Sequence, residues 1–348
     1  MATAVPHPVD PIPGDEPPTG FLRVEHRQAP DEHWHYSMYL PDGVVRAHDG
    51  ATSPEFDASS SLGLYQLLNP AVDFEVIGSW LRYEVDPADW LDAKIEALGY
   101  EVQSRHTVKL SSGVAGDVVA TWNHDGRGFA GRFIAAKYGA RLYTVCCRAA
   151  YEDYERMADG IFMAAASLRP LVEWPGLFAE TVSFVEDDQP FDWKVAVPKS
   201  WDVIQHPGTD EGAWFEARHL APTAPDEQLG EHDGRLALAV MTRGTAKRPR
   251  DAAKVYLEAL EQNDITIAAV DFVDDASEDP FSQAWYLTSP IERYGVVGEI
   301  RCRVMMHEHA WVVGGVVGPS RDDDRDAWMR NKRALDIATT TLQVDASL

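Results

Sequence analysis

The sequence predicts an α+β protein built from two tandem copies of an antiparallel β-sheet packed by helices, an α/β/α sandwich written twice. Three observations carry this. The same order of strand-like and helix-like segments occurs in both halves. Short turn signals join the strands, and hairpin links require antiparallel pairing. Several strands are apolar on both faces, so each needs a cover above and below or else offers one face to a partner. A length of 348 residues fits two domains of ordinary size.

The repeat is read element by element. Residues 88–98, ADWLDAKIEAL, and 250–260, RDAAKVYLEAL, share an I/L-E-A-L core at an offset of 162. Trp90, Leu91, Ile95 and Leu98 share one helical face, as do Ala253, Tyr256, Leu257 and Leu260. A strand is expected before each helix, at 79–85 and 236–242. More follow at 101–110, 118–124 and 141–147 in the first half, and at 264–273, 283–289 and 310–316 in the second. Turns are expected at His124-Asp125-Gly126 and at Ser289-Pro290. Each copy ends in a helix that opens with acid, at 151–168 and 321–342. Carboxylates there meet the positive end of the helix dipole, so Asp322, Asp323 and Asp324 need no metal.

The expected domains are 20–172 and 180–348, with a linker at 173–179 around the Pro175-Gly176 turn. Residues 1–19, with prolines at 6, 8, 11, 13, 17 and 18, are expected to form a flexible tail. They show neither the basic nor the apolar region of a secretory leader. Three cysteines, two of them adjacent, do not make a disulfide framework. A cytoplasmic location is expected. The net charge of −25 repels phosphate backbones and anionic headgroups, so neither nucleic acid nor membrane is an expected partner.

Motifs with chemical potential fail in context. Gly126-Arg127-Gly128-Phe129-Ala130-Gly131 matches a dinucleotide pattern, but strands flank it and no helix begins before about residue 150. His33-x-His35 and His307-x-His309 place imidazoles in pairs with no third ligand signposted. The acids at 271, 274, 275, 278 and 279 lack the spacing of a calcium loop. Ser111-Ser112-Gly113 has no general base in sight, and Cys147 lies in an apolar strand that raises its pKa. No cofactor, metal or catalytic residue is assigned, and a non-enzyme is expected. The competing readings are an enzyme, hydrolase-like, working between the copies, and a structural scaffold subunit. Eleven tryptophans remain. Trp80, Trp90 and Trp193 fit core positions. Trp122, Tyr143, Trp285 and Trp311 are the expected partner-binding residues, an aromatic platform on uncovered sheet faces.

The segment Phe191-Asp192-Trp193-Lys194-Val195-Ala196-Val197-Pro198-Lys199-Ser200-Trp201 resembles the opening of the PsbP/Mog-like family. His35-Tyr36-Ser37-Met38-Tyr39-Leu40-Pro41-Asp42-Gly43 is a weaker form of it without the tryptophan. The helix bearing Tyr256-Leu257-Glu258 and the terminal helix after Trp311 also fit. In character the chain is most similar to the Eag chaperones of type VI secretion. That resemblance implies a non-enzymatic adaptor that shields hydrophobic or amphipathic helices of a secreted effector. It also implies a monomer whose two copies act as an internal pseudo-dimer.

Overall fold

A computed structural model of the chain describes residues 5–48, 60–110, 113–174, 176–219, 234–261, 266–267, 271–275, 283–293 and 296–345. Ser111, Ser112, Pro175, Glu278 and Asp279, all named above, lie outside the described residues. The chain forms two compact units, Met1–Ala179 and Glu180–Leu348.

In the first unit the elements run β1 (Phe21–His26), β2 (Tyr36–Pro41), β3 (Val45–His48), β4 (Ser60–Leu68), β5 (Ala71–Trp80), α1 (Pro87–Ala97), β6 (Glu101–Leu110), β7 (Gly113–His124), β8 (Arg127–Tyr138), β9 (Arg141–Ala150), α2 (Tyr151–Ala166) and β10 (Arg169–Pro170). The main sheet has the order β3-β4-β5-β9-β8-β7-β6, and a small sheet has the order β1-β2-β10.

The second unit runs β11 (Val182–Asp187), β12 (Asp192–Pro198), β13 (Trp201–His206), β14 (Gly212–His219), β15 (Arg235–Thr242), α3 (Pro249–Glu261), β16 (Thr266–Ile267), β17 (Asp271–Asp275), β18 (Gln283–Arg293), β19 (Val296–Met306), β20 (Ala310–Gly318), α4 (Arg325–Thr340) and β21 (Gln343–Asp345). Its main sheet has the order β13-β14-β15-β20-β19-β18-β16, with β17 also on β18, and its small sheet is β11-β12-β21. The two units thus follow the same path, with β16 and β17 of the second standing where the first has β6. In each, the last long strand inserts between the first three strands and the rest, and every pairing in both is antiparallel.

Strand alternation sets the layers. On β9, Tyr143, Val145, Cys147 and Ala149 join a core with Met38 and Leu40 of β2 and Tyr154, Ile161 and Phe162 of α2. Their neighbours Leu142, Thr144 and Cys146 point the other way and are also buried. In the second unit Val312 and Val316 of β20 pack with Ala334, Leu335 and Ala338 of α4. Trp311 and Val313 pack with Ala252, Ala253 and Tyr256 of α3. Each central strand is therefore covered on both faces, and the uncovered face expected to carry an aromatic platform is absent from it.

Four local expectations change. The strand before α1 is β5, ending at Trp80, and residues 81–86 form a connection closed by Asp86, whose carboxylate caps α1 at Ala88 N–H (2.8 Å). Pro290 is no turn: β18 runs through it to Arg293. On one side β17 (271–275) pairs with 284–288 and β16 (266–267) with 291–292, and on the other Pro290 lies opposite Glu299 of β19. Trp80 is 47% exposed, with its ring edge on Trp34. His33 lies in a short 3₁₀ turn with His35 just after it, and His307 and His309 lie between β19 and β20, so neither pair shares a strand face. Among the described residues no three metal-ligating side chains converge, and no helix is long and apolar enough to cross a membrane.

The expected tail is also corrected. From Val5 onward it lies against the first unit, with Pro13 buried and Tyr39 Oη donating to Gly14 O (3.0 Å). Prolines hold the segment extended, so ordering it costs less entropy than a glycine-serine tail would. The expected linker likewise packs on the first unit. Arg141, wholly buried, donates to His33 O and to Val172 O (2.9 Å), and Trp174 sits beside its guanidinium.

Candidate functional site

A groove of about 1140 Å³ opens at the end of the first unit's main sheet, where α1 stops and β7 turns into β8. Its floor is built by three local devices. The first is the end of α1. Gly99 takes the left-handed region (φ 68°), its N–H bonds to Glu96 O, and Tyr100 N–H bonds to Ile95 O. This Schellman closure drops Tyr100 onto the sheet. The second is the β7–β8 hairpin, a two-residue turn in which Asp125 (φ 50°) and Gly126 (φ 76°) both have positive φ, as a type I′ turn requires. The third is Gly131, where an added Cβ would stand 3.0 Å from the Trp122 ring. Its missing side chain is the seat of that ring.

The result is a stack. Tyr100 and Trp122 lie 4.4 Å apart and 10° from parallel, and Trp122 and Phe129 5.9 Å apart and 13° from parallel. The Arg127 guanidinium covers Phe129 at 5.8 Å. Offset, near-parallel rings at such distances are a favourable aromatic geometry. Trp122 and Phe129 remain partly exposed. Polar groups ring them: Asp73, accepting from Gln66 (2.9 Å); Arg148, paired with Glu75; and Thr121, accepting from Gln103 (2.9 Å). An apolar floor with a few placed polar groups suits a ligand or peptide.

A second groove, about 470 Å³, lies in the other unit between α3 and strands β14 and β15. Ala237, Ala239, Met241, Tyr256, Leu260 and the 40% exposed Trp214 line it. Glu216 and Arg235, bonded side by side, close one wall. His206 stacks flat on Trp214 at 3.9 Å.

Of the four aromatic residues expected to contact a partner, the structure puts one, Trp122, in a groove. Trp285 is partly buried on the α3 face, 6.3 Å from Trp311. Tyr143 and Trp311 are core, each 1% exposed. Tyr143 Oη donates to His33 O (2.8 Å), and Trp311 Nε1 donates to Ala246 O (2.8 Å). Both rings bury their polar atom against a backbone carbonyl, which uses it up. Burial also pushes the Tyr143 hydroxyl pKa up. Tyr100 and Phe129 were not singled out by the sequence. The signals that could have found them are a glycine just past a helix end and a glycine diagonal to a strand tryptophan.

Beside the groove, Ser104 Oγ, His7 and Asp117 run hydroxyl–imidazole–carboxylate, with His7 Nε2 2.9 Å from Asp117 Oδ2. That order matches a nucleophile triad. Arg132, however, already holds both Asp117 oxygens, Nε at 2.9 Å and Nη2 at 2.5 Å, so the carboxylate is engaged by a guanidinium as well as by the imidazole.

Neither a family model nor a curated protein matches the chain. Among solved structures, the chain is similar to LpqN of Mycobacterium tuberculosis, described as involved in cell envelope biogenesis, at 13% identity, 42% of this chain, 90% of that one and TM-score 0.32. It is similar to the cyanobacterial PsbP of Synechocystis at 13% identity, 51% of this chain, 100% of that one and TM-score 0.32. Over 94% of its length it is similar to TplEi, a type VI secretion immunity protein of Pseudomonas aeruginosa, at 14% identity, 97% of that chain and TM-score 0.23.

Proposed function

We propose that this chain is a non-enzymatic binding protein that holds an apolar, amphipathic segment of a protein partner, as an adaptor or chaperone for a secreted effector of the type VI kind. The observation that supports this reading is the partly exposed Tyr100–Trp122–Phe129 stack on the groove floor. Aromatic side chains on rigid strands bury much area at small entropy cost, which is what partner-binding hot spots need. The strongly acidic chain favours a partner whose flanks are basic. The apolar i, i+3, i+4 and i+7 positions of an amphipathic helix fit a groove of this kind, with polar groups left for the rim.

The test is co-expression with the N-terminal segment of a secreted effector encoded beside this chain. The expected result is a soluble segment that co-purifies with the chain at fixed ratio and is lost with Trp122→Ala. A segment that stays insoluble beside well-folded protein would defeat the reading. Turnover of an ester or amide probe by the chain alone, abolished by Ser104→Ala, would replace it with a hydrolase.

A further inference from the structure

We infer that the first unit carries a binding site for an extended, proline-flanked peptide, and that residues 5–14 of the chain itself occupy that site in cis. The receptor groups come from four strands. Ser104 of β6, Asp117 of β7 and Arg132 of β8 meet the His7-Pro8 dipeptide, and Tyr39 of β2 meets Gly14.

The chemistry at His7 is specific. A serine hydroxyl facing an imidazole nitrogen can donate its proton there, and an ionised carboxylate can only accept. Nε2–H therefore donates to Asp117 Oδ2 (2.9 Å), and Nδ1 pairs with the Ser104 hydroxyl, which can give or take a proton. The His106 ring closes the pocket edge-on at 4.3 Å. The next residue adds a backbone contact: Arg132 Nη1 donates to Pro8 O at 2.5 Å.

Asp117 and Arg132 have no exposed side-chain surface, and the guanidinium also rests on the Phe162 ring at 4.3 Å. An ion pair buried purely for stability gains little over well-packed apolar side chains. This pair instead keeps one N–H and one carboxylate oxygen aimed at the docked segment.

The segment itself is built as a ligand. Residues 5–10 and 12–14 have no strand or helix, and Pro6, Pro8, Pro11 and Pro13 have no N–H to give to a sheet edge. It is held by side chains and carbonyls, the mode by which proline-rich segments are recognised. Val5 packs on the core cluster and lines the groove wall. The connection to β1 is a single turn, with Phe21 N–H on Pro18 O (3.1 Å).

The test uses the full chain with a specific protease site inserted between the exposed Glu16 and Pro17, cut after folding. The N-terminal fragment is expected to co-elute with the body on gel filtration, and an excess of synthetic peptide of residues 4–16 should displace it. In a chain with His7→Ala the cut fragment should leave at least tenfold faster, and the freed body should bind the unaltered peptide saturably, but not its His7→Ala form. Because the cut follows folding, the body is already formed when the contact is broken. The inference is overturned if the unaltered fragment leaves at once and no peptide rebinds, or if fragments with and without His7 leave at the same rate.

Discussion

Single residues separate binding from folding in this protein. Trp122 is partly exposed over a groove, so Trp122→Ala should leave the fold in place and remove partner binding. Tyr143 and Trp311 are wholly enclosed, so Tyr143→Ala or Trp311→Ala should cost about 3–5 kcal/mol of stability, read by denaturant unfolding. Near-native stability for either would contradict the burial described. A second prediction concerns pH. Burial pushes the Cys147 thiol up to about 12, above its ordinary value near 9. A raised pKa means the folded chain keeps the proton that the unfolded chain releases. The contribution is complete below about pH 9 and is lost as pH rises toward 12, at up to ~1.4 kcal/mol per pH unit. Stability measured from pH 8 to 11 should fall, and Cys147→Ala should shallow the slope; an unchanged slope would count against it. At this scale the sequence was informative about which side of a strand a residue takes, since alternation decides that. It was silent on what covers the side. Tyr143 is closed off by His33, 110 residues earlier, and no local pattern announces so distant a lid.

At the level of elements, glycines carry much of the site. Gly99→Ala would force a side chain into the left-handed region at φ 68°, at about 1 kcal/mol, and should lift Tyr100 off Trp122. A weakened near-ultraviolet dichroism of the stacked rings is the expected signature; an unaltered band would show that the helix end does not set the stack. At Gly139 an added Cβ would meet Trp174 at 1.8 Å. Gly139→Ala should therefore expel the Trp174 ring, red-shifting tryptophan emission. Strands and helices themselves were largely legible. Strand β6 and the helices α1, α2 and α4 fall close to where periodicity and acidic openings place them, and Asp324 caps α4 at Ala327 N–H (3.0 Å). Pro290 was misread because Ser-Pro is locally a turn signal, and only the pairing of 283–293 with 296–306 shows that the strand runs on through it, a tertiary fact. The proline-rich segment at 5–14 was misread for a related reason: composition says that it is extended, and only His7, Asp117 and Arg132 together say that it is docked.

For the whole molecule, the recurrence of one strand order in both units was the readable feature, because element order survives when residue identities fade. The second unit has its own core on both faces of its sheet. Residues 180–348 produced alone should therefore unfold in one cooperative transition; a broad, non-cooperative melt would show that this core is insufficient. The grooves are where the two copies part company. One is floored by stacked aromatic rings, the other by small apolar residues beneath α3. The binding role proposed above stands or falls on the first. The direct measurement is the affinity of the purified chain for the effector segment, compared among the unaltered protein, Trp122→Ala, and Leu22→Ser as an exposed apolar change outside the groove. A loss of tenfold or more confined to Trp122→Ala, at unchanged melting temperature, is the predicted result. Equal affinity across all three proteins would contradict it.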